Sequence, residues 1–94
     1  MPGKLCYFDM NGLSDAIRNM LRHANFQYED ERLSLEEFAA KKASGELSSL
    51  PAWIEDGFTT TQSNAILRSL AIRLGYYHED PMITWNIDSL MDYI

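Results

Sequence analysis

The first part of the chain has a short run of apolar residues, typical of a strand, and then apolar residues at helical spacing. Lys4 to Asp9, with the sequence KLCYFD, is rich in apolar and aromatic residues and predicts a short strand that Asn11-Gly12 ends. The next apolar residues recur at helical spacing, which predicts a helix with one apolar face. The residues of that face are Leu13, Ile17, Leu21 and Ala24.

Apolar and polar residues alternate in the segment that starts at Asn25. Phe26 and Tyr28 alternate with polar residues in FQYEDERL and predict a second strand. The following segment, SLEEFAAKKASGEL, predicts a short irregular helix and a loop. A strand-helix-strand unit of this length predicts a parallel pair of strands with a right-handed crossover.

Two further strands and a helix follow Leu50-Pro51. Asp56-Gly57 separates two apolar runs in AWIEDGFTT, which predicts an antiparallel hairpin. The next helix, which begins in TQSNAILRSLA, ends at Gly75. Its apolar residues at helical spacing are Ile66, Leu67 and Leu70. The order βαβ followed by ββα, with a proline before the third strand, is that of the thioredoxin fold, an α/β fold with a four-stranded mixed sheet.

The last segment predicts a further helix with an apolar stripe. Asp80-Pro81 fits an N-cap followed by the first helical residue. The stripe consists of Ile83, Ile87, Leu90 and Ile94. Such a stripe needs a surface to pack on, so we expect either self-association or continuation into a helical domain. The expected division is a thioredoxin-like domain over residues 1–77, with residues 78–94 as a linker and the first helix of an all-α C-terminal domain.

The composition is that of one globular domain. The 94 residues are 46% hydrophobic and carry a net charge of −6, and their longest basic run is Lys41-Lys42. An acidic chain without a basic cluster lacks the electrostatic footprint of a protein that binds nucleic acid or an anionic membrane. The apolar runs are far shorter than the roughly 18 residues of a membrane span, and the N-terminus has no signal-peptide pattern. We therefore expect a cytoplasmic protein that binds neither nucleic acid nor membranes.

Cysteine and histidine are too few for disulfide or zinc chemistry. Cys6 is the only cysteine, which excludes an internal disulfide and a C-x-x-C redox motif. Since His23 and His78 are the only histidines and lie far apart in the sequence, we expect no structural metal site. Cys6 alternates to the opposite face of the strand from Tyr7, so we expect a small buried side chain.

Two features fit an extended, anionic ligand. The residue before Pro51 is held extended, so the backbone of Leu50 is able to pair with a peptide ligand if the bond between them is cis. A simple turn before a strand explains the same dipeptide. Gln62 and Ser63 begin a helix, where free N–H groups favour an anion. The alternative is that Thr61 or Ser63 only caps the helix.

Aromatic and basic residues add further candidates. Tyr7 is near the end of the first strand, at the edge where open α/β sheets bind ligands. The alternative is a core tyrosine whose hydroxyl is satisfied by a hydrogen bond. Phe38, Lys41 and Lys42 lie in the predicted loop and either line a pocket or form a packed ring beside a solvated charge pair.

Three segments together resemble the N-terminal, glutathione-binding domain of the cytosolic glutathione transferases, most of all the sigma and mu classes. They are KLCYFDMNGLSDAIRNMLRHANFQYEDERL, LPAWIEDG and TQSNAILRSLAIRLGYY, and they cover nearly the whole chain. The resemblance depends on the combination of a first-strand tyrosine, a Leu-Pro pair before a strand and a Gln-Ser helix start. It implies a thioredoxin-like domain that binds glutathione as a substrate and uses no metal.

The resemblance implies a role for each candidate residue. Tyr7 stands where the family has its catalytic tyrosine, whose hydroxyl donates a hydrogen bond to the glutathione sulfur. This favours the thiolate, the reactive form of a thiol whose pKa is about 8.5 when free. Gln62 and Ser63 are implied to hold the γ-glutamyl carboxylate. The other implied glutathione contacts are Leu13, the Leu50 backbone beside Ser49 and Pro51, and Phe38 and Lys42 at the glycyl end.

The resemblance also implies a homodimer in which Asp88 reaches the glutathione amino group bound by the partner subunit. An exposed aspartate on a helix is otherwise unremarkable. The chain departs from the family at Asn11, where an arginine usually precedes the glycine, and Leu13 follows the mu pattern rather than the arginine of many sigma members. Because most of the family's electrophile pocket follows this region, glutathione binding is better supported than turnover.

The leading hypothesis is a glutathione transferase, or its N-terminal portion, that activates the glutathione thiol for detoxifying attack on a hydrophobic electrophile. A glutathione-dependent isomerase or peroxidase would keep the same glutathione contacts. A non-catalytic thioredoxin-fold interaction module is the rival from another class. The lack of any cysteine after the first strand argues against a thiol-disulfide oxidoreductase.

Overall fold

The computed structural model describes residues 3–10, 12–77 and 79–93, apart from the side chains of residues 90, 91 and 93. The described chain forms a four-stranded mixed sheet in the order β2-β1-β3-β4, which confirms the predicted thioredoxin-like arrangement. The elements are β1 (Gly3–Phe8), α1 (Asp15–His23), β2 (Tyr28–Leu33), α2 (Leu35–Ala43), β3 (Ala52–Glu55), β4 (Phe58–Thr61), α3 (Ser63–Arg73) and α4 (Pro81–Tyr93).

The strand register brings distant parts of the sequence to one edge of the sheet. β1 pairs with β2 in parallel and with β3 in antiparallel fashion, and β3 pairs with β4 in antiparallel fashion. Cys6 lies opposite Ala52, which lies opposite Thr61. The end of β1, the segment before β3 and the start of α3 after β4 therefore meet at this edge, which we call the site edge.

The hairpin between β3 and β4 forms at the predicted dipeptide. Asp56 and Gly57 have φ angles of 52° and 78°. Two successive residues with positive φ are typical of the hairpin turn that matches the twist of the flanking strands, and glycine adopts that conformation without steric cost.

The core has one cluster on each face of the sheet. Residues of α1 and α3 pack against Leu5 and Trp53 on one face, and Cys6 and Ala52 pack with the segment around α2 on the other. In this first cluster α3 contributes Ile66 and Leu70, and the apolar face of α1 contributes Ile17 and Leu21. Leu13 was wrongly placed on this face: it is 57% exposed and precedes α1, because the chain turns after β1 before the helix begins.

The segment after β2 is more regular than expected. The predicted short helix and loop are both present, but the helix, α2, is a regular nine-residue helix that begins with a capping box. Ser34 Oγ accepts a hydrogen bond from the Glu37 amide at 3.1 Å, and the Ser34 amide donates to Glu37 Oε1 at 2.9 Å. This reciprocal pair satisfies N–H groups that the first turn leaves free. Phe38, Lys41 and Lys42 therefore lie on a helix rather than in a loop.

The second strand begins later than its aromatic pattern suggests. β2 starts at Tyr28, whereas the Phe26 amide donates to the Leu21 carbonyl at 3.0 Å and closes the end of α1. The Phe26 ring still packs against the core through Trp53, with a centroid distance of 6.3 Å. The apolar side chain of Phe26 is therefore explained by packing against the core and not by pairing within a strand.

The predicted start of the last helix is confirmed. Asp80 Oδ1 accepts a hydrogen bond from the Met82 amide at 2.9 Å, and α4 begins at Pro81. Along the predicted stripe, Ile83 is exposed and Ile87 is half-buried. The side chain of Leu90 and the whole of Ile94 lie outside the described residues. None of the helices in the described ranges is long and apolar enough to cross a membrane.

Candidate functional site

Tyr7 occupies the site edge near the end of β1. Its side chain is 7% exposed, and its hydroxyl accepts a hydrogen bond from the Leu13 amide at 3.4 Å. A Cβ atom at Gly12 would lie 3.0 Å from the hydroxyl oxygen, so glycine lets the loop pass closely over it. A tyrosine hydroxyl has one proton to donate besides its acceptor capacity. Because Leu13 uses only the acceptor side, the Tyr7 proton is available to another group.

Cys6 lies on the opposite face of β1, as expected. Its side chain is buried, and this burial raises the pKa of the Cys6 thiol to about 11. Only a thiolate is an effective nucleophile, so Cys6 is an inert core residue at neutral pH. The nucleophile of any thiol chemistry at this site must then come from a ligand.

The segment before β3 enters the site edge through a cis peptide bond between Leu50 and Pro51. Pro51 is buried, and Ser49 and Leu50 are half-buried. The Leu50 side chain packs against the cluster that contains Cys6 and Ala52. The backbone of Leu50 therefore lies at the site edge, while its side chain packs into the core.

Gln62 joins β4 to α3 in an unusual conformation. Its φ and ψ angles are 74° and 113°, which non-glycine residues rarely adopt. Within the described part of the chain, Gln62 occupies the N-cap position without a side-chain capping hydrogen bond. Ser63 is the first residue of α3, so neither Thr61 nor Ser63 is the N-cap. The polar side chains at this helix start are not explained by capping alone.

A cleft of about 420 Å³ joins the loop after β1 to the start of α3. Leu13 and Ser63, two of the residues predicted to contact glutathione, both line it. The other residues around its wall are Gly12, Asp15, Ala16, Asn19, Asn64, Leu67 and Asp92. The structure thus brings these two predicted residues together although 50 positions separate them in the sequence, from 13 to 63.

Phe38 and Lys42 approach the same edge from α2. The Phe38 ring is half-buried and meets the Phe8 ring edge-on at a centroid distance of 5.7 Å. Lys42 Nζ lies 6.0 Å from the centre of the Phe38 ring. Lys41 is paired instead with Glu46, at 3.1 Å. Phe38 is therefore a packed ring, and Lys42 is the more exposed of the two lysines.

Asp88 is held by contacts within its own chain. Arg68 Nε donates to Asp88 Oδ1 at 3.1 Å, and the Tyr77 hydroxyl donates to the same oxygen. The Tyr77 hydrogen bond, followed by that from Arg68, lowers the pKa of the Asp88 carboxyl below its ordinary value. These contacts fasten α4 to α3 and to the segment that connects them.

Arg18 is a residue of this region that the sequence reasoning missed. It lies on the buried side of α1, 3% exposed, with the guanidinium carbon 5.8 Å from the centre of the Tyr7 ring. The signal that points to it is a basic residue placed beside Ile17 and three positions before Leu21, both of which belong to the predicted apolar face. A buried arginine requires polar partners, so its position alone predicts a network.

Comparisons with known proteins identify the family of this chain. The family model described as "Glutathione S-transferase, N-terminal domain" matches residues 3–71. The chain belongs to the glutathione S-transferase family. Glutathione S-transferase 1 of Ascaris suum is 36% identical over 95% of this chain and 43% of its own length.

Solved structures of glutathione S-transferases superpose closely on this chain. A structure described as a Nu-class GST from Haemonchus contortus is 38% identical and has a TM-score of 0.85, over 96% of this chain and 44% of that one. Monomeric Na-GST-3 from Necator americanus is 34% identical with a TM-score of 0.87, over 99% of this chain and 45% of that one. The chain thus spans less than half the length of these relatives.

The described residues of this transferase domain hold no cluster of three or more His, Cys, Asp or Glu side chains that could bind a metal ion. His78 lies outside the described residues, as does Asn11, the position at which the sequence departs from the family's arginine.

The Asp88 contacts predict how acid affects α4 of the transferase domain. Because the pKa of Asp88 is lowered on folding, its contribution to stability is fully present above about pH 4 and is lost as the pH falls further. We expect Asp88→Asn to loosen α4 already at neutral pH and to remove this part of the acid dependence. Amide hydrogen exchange in α4 between pH 3 and 7 measures the effect.

Asp92→Asn is the matched control for this experiment. Asp92 is an exposed aspartate on the same helix, and its substitution should leave the pH profile of α4 exchange unchanged. Identical acid profiles for Asp88→Asn and the unmodified chain would refute the role of the Asp88 contacts.

Proposed function

We propose that this chain binds glutathione along the site edge and activates its thiol for attack on a hydrophobic electrophile. The observation that carries the proposal is the register of β1, β3 and β4, in which Cys6, Ala52 and Thr61 form one row. The residues next to this row are a tyrosine, the segment that enters β3 through Leu50-Pro51, and a helix N-terminus. They match a tripeptide with a thiol at its centre and a carboxylate at each end.

The γ-glutamyl end is proposed to bind at the start of α3. The first turn of a helix presents N–H groups without intrahelical partners, and the helix dipole favours an anion there. Gln62 and Ser63 add a carboxamide and a hydroxyl beside these groups. The rare backbone conformation of Gln62 typically costs about 1–3 kcal/mol and is most often retained where function requires it.

The middle of glutathione is proposed to pair with the backbone of Leu50, flanked by Ser49 and Pro51. An extended peptide that lies along a sheet edge obtains main-chain hydrogen bonds independently of its side chains. Phe38 and Lys42 are proposed to meet the glycyl end, where the lysine offers a charge to the carboxylate. Leu13 borders the cleft beside the thiol.

The thiol is proposed to lie within reach of the Tyr7 hydroxyl. A donor that is already oriented stabilises a developing negative charge without reorganising in the reaction. The Leu13 amide at 3.4 Å favours an orientation in which the hydroxyl proton points away from the loop. The sulfur then gives up its proton to solvent more readily, and the thiolate attacks the electrophile.

The wider assignments are proposals of the same kind. We propose a cytoplasmic, homodimeric protein with a glutathione-binding domain over residues 1–77 and the start of a helical domain over residues 78–94, in which Asp88 serves the partner's site. Na-GST-3 of Necator americanus is described as monomeric, so the state of assembly needs its own measurement. Sedimentation at several concentrations measures it, and a monomer throughout would overturn the dimer.

The proposed carboxylate site predicts a loss of glutathione affinity in the double variant Gln62→Ala with Ser63→Ala. Each lost hydrogen bond to a charged group typically costs about 1.5–3 kcal/mol, so we expect the loss of two to raise the dissociation constant at least about 100-fold. Isothermal titration with glutathione measures the change, and circular dichroism checks the fold.

A second double variant, Gln27→Ala with Ser69→Ala, removes the same two side-chain types at exposed positions away from the site edge. It should bind glutathione as the unmodified chain does. Equal affinities for the two double variants would contradict the proposed carboxylate site, and a lack of binding by the unmodified chain would contradict the proposed function itself.

A further inference from the structure

The guanidinium group of Arg18 connects α1 to the loop that covers Tyr7. Its Nη1 donates to the Met10 carbonyl at 3.2 Å, and its Nη2 donates to the Phe8 carbonyl at 3.5 Å. Its Nε donates to Asp30 Oδ1 on β2 at 3.2 Å. One side chain therefore fixes the end of β1 and the loop relative to two other elements.

A second ion pair anchors the same loop from β2. The other oxygen of Asp30 binds Arg32 at 3.0 Å, and Arg32 Nη1 reaches Asp9 Oδ1 at 3.0 Å. Arg18 is buried while Arg32 is exposed. Exposed ion pairs contribute little, whereas buried, charge-assisted hydrogen bonds are stronger and more directional. Arg18 is thus the main polar anchor of the loop.

The start of α1 does not hold the loop by ordinary capping. Ser14 is the N-cap residue, yet within the described chain its buried hydroxyl has no hydrogen-bond partner and caps nothing. The loop carries the Leu13 amide, which donates to the Tyr7 hydroxyl. The Asp15 amide also donates to the Gly12 carbonyl at 3.1 Å. The geometry of the loop over the hydroxyl therefore depends on this backbone contact and on the side-chain contacts that Arg18 makes.

We propose that Arg18 is a positioning residue for thiol activation. Its hydrogen bonds to the Phe8 and Met10 carbonyls form a fork that fixes the positions of the Tyr7 ring and the Leu13 amide. In this geometry the proton of the Tyr7 hydroxyl is directed to the sulfur. This inference rests on the proposed function. It requires the planar fork of an arginine, because a lysine ammonium on a flexible stem does not reproduce three directed contacts.

The test compares Arg18→Met and Arg18→Lys with the unmodified chain. Ultraviolet absorption of the thiolate, followed against pH in the glutathione complex, reports how much bound thiol is ionised. Residues in contact are commonly coupled in their effects, and we expect roughly three- to tenfold less thiolate at neutral pH in both variants. Recovery of the unmodified profile by Arg18→Lys would overturn the requirement for the fork.

A double variant separates positioning from general damage to the fold. If Arg18 acts through Tyr7, adding Arg18→Met to Tyr7→Phe should cause no loss of thiolate beyond that of Tyr7→Phe alone. Additive losses would show that Arg18 does not act through Tyr7 and would overturn the inference.

Arg73→Met is the matched control. Arg73 also pairs with a carboxylate, Glu55 at 2.9 Å, and also lies over an aromatic ring, 5.2 Å from the centre of Phe26. It belongs to the other end of α3, so its loss should leave the thiolate profile unchanged. An equal change in Arg73→Met and Arg18→Met would assign the effect to stability and overturn the inference.

A measurement without glutathione keeps this inference separate from the proposed function. The NMR shift of the Leu13 amide should move in Arg18→Met and in Arg18→Lys, in the direction produced by Tyr7→Phe, while that of Ile66 stays in place. An unchanged Leu13 shift in folded variants would overturn the positioning role. If the unmodified chain binds no glutathione, the proposed function fails, and this measurement still decides the role of Arg18.

Discussion

Tyr7→Phe is expected to lower the rate of glutathione conjugation about 100- to 1000-fold, because removal of one preorganised donor to a developing anion typically has an effect of that size. The change deletes a single oxygen atom and keeps the ring. That ring packs against Phe8 at a centroid distance of 5.6 Å and lies beneath Arg18. Glutathione affinity and the fold should therefore change little.

Two measurements check this expectation. A conjugation assay with a generic aryl halide gives the rate, and the pH titration of bound thiol by ultraviolet absorption gives the thiolate fraction. In Tyr7→Phe the titration should move up towards the range of a free thiol, about 8.5. The titration remains informative when the 94-residue chain turns over slowly, since it needs binding and ionisation only.

Tyr28→Phe provides the matched control. Tyr28 lies opposite Gly3, at the other end of the sheet from the site edge, and its ring packs near Trp53. Loss of its hydroxyl should leave both measurements unchanged. A Tyr7→Phe variant with the titration and rate of the unmodified chain would show that Tyr7 is only a core tyrosine.

The order of strands and helices could be predicted because local signals decide it. Asp56-Gly57 fits a turn that needs positive φ, and the change from a short apolar run to helical spacing separates β1 from α1. The segments that were misassigned depend on particular hydrogen bonds, which apolar spacing does not describe. Phe26 resembles a strand residue because its half-buried ring packs against the core, yet its amide donates to the Leu21 carbonyl at the end of α1. The spacing of apolar residues does not show whether an amide pairs with a neighbouring strand or with the end of a helix.

The candidate residues could be named one by one from the sequence, whereas their arrangement could not be predicted. The sequence places Tyr7, Leu50 and Gln62 at the ends of elements, whereas their common edge arises from the register of β1, β3 and β4. The conformation of Gln62 results from the way β4 enters α3, which propensity does not describe. Arg18 was missed because a charged residue within an apolar face does not by itself show which groups it contacts.

Ile66→Ala is expected to destabilise the domain by about 2–5 kcal/mol, the usual cost of truncating a fully buried isoleucine. Ile66 is 0% exposed and packs in α3 against the core cluster of Leu5, Ile17 and Trp53. At about 0.05–0.15 kcal/mol per residue, a domain of 94 residues has a total stability of roughly 5–14 kcal/mol. The single substitution therefore removes a large share of it. Urea denaturation followed by circular dichroism measures the loss.

Ile72→Ala makes the same chemical change on the same helix, at a side chain that is 61% exposed. Its effect should stay within about 0.5 kcal/mol, the usual range for surface substitutions. The comparison also tests how α3 serves the proposed site, since Gln62 and Ser63 precede and begin this helix. While Ile66→Ala remains folded, its glutathione affinity should match that of Ile72→Ala, because packing and carboxylate binding use different parts of α3. Equal stabilities of the two variants would mean that the apolar face of α3 is not what holds the helix on the sheet.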